Sequence, residues 1–184
     1  MYLIQENGLT NDYINNQVFP ENVRMICGLA FVPLHDIERS FEALTPNCIG
    51  LNLIEPILDY FETNYVGEMR RGVRRPPTFD HSMWSVYERV INRIPRTTNA
   101  LEGWHNAFAQ SVGQSHATLW KFINTLKNEH VHVHLAIAHH DNYVPVPPSR
   151  LKYSNVNHRI SNIVADYGNR NIIDYLRTIS FNIF

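Results

Sequence analysis

"LKNEHVHVHLAIAHH", residues 126–140, decides the fold class. Between Val131 and Ile137 apolar and polar residues alternate with period two, the pattern of a half-buried strand. The same residues also continue a helical stripe. In "HATLWKFINTLKNEH" (116–130), Leu119, Phe122, Ile123 and Leu126 recur at three- and four-residue spacing on one helix face. No other segment of the chain alternates, so the expected fold is mostly α.

Working outward, the remaining segments read as helices and breaks. "VRMICGLAFV" (23–32) reads as a largely buried helix. "PLHDIERSFEAL" (33–44) follows with Pro33 at a first-turn position and Ile37, Phe41 and Leu44 on one face. "LNLIEPILDYFETNYV" (51–66) repeats the pattern, with Pro56 tolerated near a start or at a kink. "SMWSVYERVINRI" (82–94) reads as one helix ended by Pro95, with Trp84, Tyr87 and Ile91 in register. "MYLIQENGLTNDYINN" (1–16) looks like the middle of an amphipathic helix without a cap, which reads Met1 as an internal methionine of something longer. "YVPVPPSR" (143–150) reads as extended. Beyond it, one helix runs through Ile160, Ile163, Val164 and Tyr167 to Gly168, and a second carries Ile172, Ile173, Leu176 and Ile179. The expected organisation is a helical part over 1–142, a Pro-rich break over 143–149 and a helical tail over 150–184.

Composition narrows the class. The chain is 44% hydrophobic and 18% charged, which is enough apolar surface for a core. A formal net charge of −1 gives no global reason to expect nucleic acid, although local patches remain open. Most of its basic residues are arginines, whose planar fork suits phosphates and carboxylates; lineage bias explains the excess equally well. Cys27 and Cys48 form no CxxC pair. No signal peptide and no membrane-length apolar run occurs, so the expected setting is intracellular.

Three clusters could carry chemistry. Asn99 and Glu102 match a capping box, in which Glu reaches back to an orphan backbone N–H. Glu102, His105, Asn106 and Ala109 also share 3/4 spacing, and a carboxylate, an imidazole and an amide on one stripe could build a metal-dependent site. The second cluster is His130, His132, His134, His139, His140 and Asp141. His130 and His134 stand i,i+4, a spacing that can bind zinc, but no HExxH arrangement accompanies them. Solvated histidines on the polar side of a long helix are the expectation. The third is the run "GEMRRGVRRPPTF" (67–79), where Arg70, Arg71, Arg74 and Arg75 could contact DNA phosphates or simply decorate an irregular surface loop. Trp84, Trp104 and Trp120 sit on apolar stripes and are expected in the core. No GxGxxG, P-loop or GxSxG motif occurs.

"RTTNALEGWHNAFAQSVGQSHATLWKFINTLK" (96–127) resembles the C-terminal part of Mutator-like element transposases, in the animal branch of that family. "GLAFVPLHDIERSFEAL" (28–44), "YFETNYVGEMRRGVRRPPTFDHSMWSVYERV" (60–90) and "DYLRTISFNI" (174–183) look like further segments of the same region, in the same order. The resemblance implies DDE catalysis on an RNase H-like fold, in which three carboxylates hold two Mg²⁺ or Mn²⁺ ions that activate water or a 3′-hydroxyl. The Glu of the N-x-x-E helix is the third acid of that set, and Glu102 stands at the matching position.

The family's two catalytic Asp residues lie on strands upstream of this region. Asp12, Asp36, Asp59 and Asp80 fall in helix or loop contexts and do not substitute for them. The resemblance therefore implies the helical C-terminal portion of such a transposase, without the β-sheet core. That portion is a fragment or remnant, inactive alone and needing no cofactor of its own. The parent enzyme would act on the terminal inverted repeats of a transposon, in the nucleus or cytoplasm. Apolar stripes that evolved against a missing sheet imply self-association and poor solubility. The alternative is a non-enzymatic DNA-binding or domesticated interaction module using the arginines of 70–75.

Overall fold

A computed structural model describes residues 2–48, 51–97, 99–113, 117–142 and 151–183. The chain is mostly helical. In order, the helices are α1 (Tyr2–Glu6), α2 (Thr10–Asn15), α3 (Val18–Gly28), α4 (Ile37–Leu44), α5 (Leu51–Phe61), α6 (His81–Trp84), α7 (Tyr87–Ile91), α8 (Asn99–Val112), α9 (Leu119–Asp141), α10 (Leu151–Ala165) and α11 (Ile172–Ser180). A two-stranded hairpin, β1 (Met69–Arg70) and β2 (Val73–Arg74), separates α5 from α6. Residues 131–137 lie within α9, so the period-two alternation is helical in space. The Pro-rich stretch 143–150 lies outside the described residues.

The chain divides into two compact units, residues 1–94 with 152–184, and residues 95–151. The first unit holds the core. Every fully buried apolar side chain among the described residues belongs to it, including Met25, Leu29, Ile37, Leu44, Ile54 and Leu176. Residues 152–184 belong to this first unit together with 1–94. α11 lies along α3, and Tyr175, Leu176 and Ile179 are buried core residues. The Arg177 Nε donates to Glu21 Oε1 at 2.8 Å, tying the two helices at their rim. The Tyr175 hydroxyl donates to the buried Phe31 carbonyl at 2.5 Å.

Several expected helices are broken by specific backbone events. Residues 2–16 fold as α1 and α2 because Gly8 takes a φ of +71°, which Gly adopts without steric cost. Pro33 is followed by a 3₁₀ turn, Leu34–Asp36, before α4 begins. The expected helix 82–94 is two short ones, α6 and α7, parted at Ser85 and Val86. The Val86 N–H leaves the helical ladder and donates instead to the Ala30 carbonyl at 2.8 Å. Pro56 lies inside α5 on its exposed side. After α5 the backbone widens into a π-turn, Glu62–Val66, and ends at Gly67. Only glycine fits there: its φ is +101°, and an added Cβ would lie 2.0 Å from the Arg75 carbonyl oxygen.

Residues 67–79, expected to be irregular, contain the hairpin. Arg71 and Gly72 both have positive φ, +53° and +77°, as a two-residue type I′ connection requires. Phe61, Tyr65 and Phe79 stack in sequence, with ring centroids 5.0 and 5.2 Å apart.

The second unit is an antiparallel helical hairpin. Trp104 stacks on Phe108 within α8, Phe108 meets Phe122 of α9 edge to face at 5.8 Å, and the Trp104 Nε1 donates to Glu129 Oε1 at 2.6 Å. None of its described side chains is fully buried. The tryptophan expectation divides accordingly: Trp84 packs against the core of the first unit, Trp104 lies on the α8–α9 contact, and Trp120 is 74% exposed rather than buried.

Candidate functional site

The arginine run is the most structured of the candidate clusters, and the hairpin sorts its members. β-strand side chains alternate, so Arg74 turns toward the body of the unit while its neighbours turn outward. The Arg74 guanidinium lies among three carboxylates. Its Nη2 donates to Glu42 Oε1 at 2.6 Å, its Nη1 to Glu62 Oε1 at 3.1 Å, and its Nε stands 3.4 Å from Glu38 Oε2. Nη1 also donates to the Gly67 carbonyl. Glu38 and Glu42 are one turn apart on α4, and Glu62 opens the π-turn, so one side chain joins three segments. Burial works against the Arg74 charge, but the hydrogen bonds to Glu42 and Glu62 outweigh it and hold the guanidinium pKa above its ordinary value.

Arg74 therefore leaves the set of phosphate-contact candidates, because both its Nη groups are committed to acceptors and its side chain is only 10% exposed. Arg70 pairs with Glu68 at 2.7 Å on the surface. Arg71, at the turn, and Arg75 are exposed and form no ion pair among the described residues. Sequence spacing groups the four arginines but carries no sign of the carboxylates. Glu38, Glu42 and Glu62 stand 12 to 36 residues upstream of Arg74, and no local pattern links them to it.

Glu102 lies in the first turn of α8, exposed, where a carboxylate favours the helix dipole. Asn99 begins that helix, and residue 98 lies outside the described residues, so the capping geometry is not on view. Glu102 belongs to the helical hairpin and the arginines to the core unit. His130, His132, His134, His139 and His140 are all exposed along α9. Among the described residues no group of three His, Cys, Asp or Glu is disposed to hold a metal ion.

One cavity, of about 320 Å³, opens in the core unit between α4 and the start of α11. Its polar groups already serve one another. The Tyr167 hydroxyl donates to Asp36 Oδ2 at 3.0 Å, Arg39 stands 3.9 Å from the same carboxylate, and Arg170 is paired with Asp166. Burial, reinforced by Asp36, pushes the Tyr167 phenol up to about 12. Periodicity reads Tyr167 as a stripe residue and gives no hint of this cavity.

No protein-family model matches the chain, and searches of curated proteins and of solved structures find no match either. None of the helices in the described residues is long and apolar enough to cross a membrane.

Proposed function

We propose that the chain is the helical part of a Mutator-like element transposase, and that these residues alone do not cut DNA. The observation that carries the reading is the stretch 96–127, whose resemblance to that family centres on "NALEGWH". The position of Glu102 supports it: the carboxylate is exposed at a helix start, on a hairpin separate from the core. Two Mg²⁺ ions need several carboxylates and substrate oxygens. Among the described residues no group of three His, Cys, Asp or Glu is disposed to hold a metal ion, so they do not fit the two-metal set by themselves, and no catalytic step follows from them.

Two measurements test this. Purified chain with Mg²⁺ or Mn²⁺ and duplex DNA is expected to show no nicking, and Glu102→Gln is expected to behave identically. Metal-dependent nicking lost in Glu102→Gln would overturn the claim of inactivity. The reading frame upstream of Met1 is expected to encode strands bearing two Asp residues, and a frame without them would overturn the family reading.

A second reading is favoured by the two unpaired arginines. The hairpin presents Arg71 and Arg75 to solvent with Arg74 locked behind them, and the chain would use them as a non-enzymatic DNA-binding module. Duplex binding should then weaken with salt, and Arg71→Ala/Arg75→Ala should flatten the slope by about two. Arg74 is kept in this test, because its loss disturbs the fold. Identical binding by wild type and variant, or none by either, removes the idea.

A further inference from the structure

The cavity between α4 and the start of α11 has two walls. Asp36, Ser40 and Ala43 line the first at the three- and four-residue spacing of one helix face, with Arg39 beside them. The second runs from Tyr167, past the end of α10, to Tyr175 in the first turn of α11. The polar groups of the two walls serve one another only in part. Asp36 is the N-cap of α4, where Asp ordinarily accepts from a backbone N–H of the first turn. Its side chain makes no such bond and lines the cavity instead. Oδ2 accepts from the Tyr167 hydroxyl at 3.0 Å, and the buried Ser40 hydroxyl hydrogen-bonds Tyr167 in turn. Oδ1 is different. Its nearest cation is the Arg39 Nη1 at 3.9 Å, beyond hydrogen-bond length. Arg170, on the second wall, gives its Nε to Asp166 and keeps its Nη groups uncommitted among the described residues.

We infer that this cavity binds a free α-amino acid as its zwitterion, with the ammonium on Asp36 Oδ1 and the carboxylate on the guanidinium forks of Arg39 and Arg170. Charge balance points to that class. With Asp166 counted, two cations stand against two anions, so the site favours a ligand that carries both signs over one of net charge. An α-amino acid holds its two charges one carbon apart, as a ligand must to meet Asp36 and Arg39 side by side on one wall. A guanidinium fork takes a carboxylate through two N–H donors, and an ammonium brings three donors to a carboxylate oxygen and its neighbours. The start of α11 lies on the second wall, and its positive dipole end favours the carboxylate as well. The volume, about 320 Å³, is at the lower end of the ~300–1,000 Å³ of small-molecule pockets, which suits a ligand of this size. Ala43, Ile172 and the Tyr175 ring give it an apolar part, which fits a side chain of the leucine kind. The inference rests on the core unit and is independent of the transposase reading.

Isothermal titration of the full chain with leucine tests it, with N-acetyl-leucine and leucinamide as forms that each lack one charge. Leucine is expected to bind one to one with a Kd of about 1 mM or below, and each blocked form at least about tenfold more weakly. Arg39→Gln and Asp36→Asn should each weaken leucine binding at least about tenfold. The Arg39 side chain is 86% exposed, so Arg39→Gln should melt with wild type, which separates lost binding from lost fold. Asp36→Asn keeps an oxygen for the Tyr167 hydroxyl. No binding of leucine up to about 10 mM overturns the site. N-acetyl-leucine or leucinamide binding as tightly as leucine overturns the zwitterion. Leucine binding unchanged in both variants overturns the assignment to this cavity.

Discussion

Arg74→Met is expected to destabilise the chain by about 2–4 kcal/mol, a large share of the 5–15 kcal/mol that typically holds a domain together. The reason is what the substitution leaves behind. Glu38, Glu42 and Glu62 converge on one guanidinium, and without it three carboxylates face each other around an apolar side chain. Glu38 and Glu42 are about half exposed, which lets water relieve part of the repulsion and keeps the cost below that of a fully buried pair. The hydrogen bond to the Gly67 carbonyl is lost as well, at a position whose backbone conformation only glycine fits. Arg74→Lys should recover only part of the loss, since one ammonium cannot reproduce a fork that serves three acceptors and a carbonyl. Urea unfolding of the core unit measures it. A loss under about 1 kcal/mol would show that the cluster is an ordinary surface ion pair.

The same cluster changes how the arginine run reads as a surface. Four cations, Arg70, Arg71, Arg74 and Arg75, stand against Glu38, Glu42, Glu62 and Glu68. The region is nearly neutral, not a basic patch. Any phosphate binding there depends on the two exposed arginines that no carboxylate among the described residues holds.

How much was legible beforehand varied with the range of the interaction. Helical character was readable throughout because it is written in 3.6-residue spacing, and even "VHVHLAI" followed the stripe before it. Local breaks were less legible. The split at Ser85–Val86 depends on a hydrogen bond to Ala30, more than fifty residues upstream. The type I′ turn was hidden because Arg71 supplies a positive φ that sequence rules assign to Gly, Asn or Asp. Partnership was least legible. The stripe of Leu176 and Ile179 announces a buried face but not that α3 covers it, and the stripe of α9 does not announce how little of it α8 covers. Glu102 shows the same limit from the other side. Its helix start was readable, whereas the role of its carboxylate depends on groups that spacing cannot name.

Above about pH 9 the core unit is expected to lose stability steeply, by roughly 4–5 kcal/mol at pH 11. Three groups act in one direction. Burial pushes the Cys48 thiol up to about 11 and the Tyr167 phenol, with help from Asp36, up to about 12. Burial raises Tyr175 further still, with Tyr87 and Tyr167 adding to it. Each group stays neutral in the folded chain at a pH where the unfolded chain has released its proton. Their stabilising contribution is therefore complete below the unfolded values and is lost as pH rises towards the folded ones. The loss begins with Cys48 and continues through the tyrosines. Tyr175→Phe separates this effect from simple packing. At pH 7 it should cost about 1–2 kcal/mol, because the Phe31 carbonyl loses a buried donor. Above pH 10 it should flatten the decline, because one of the titrating groups is gone. Urea midpoints between pH 7 and 11, for wild type, Tyr175→Phe and Cys48→Ala, decide it. A flat wild-type profile, or a Phe variant that falls as steeply as wild type, would show that these side chains ionise without unfolding the core.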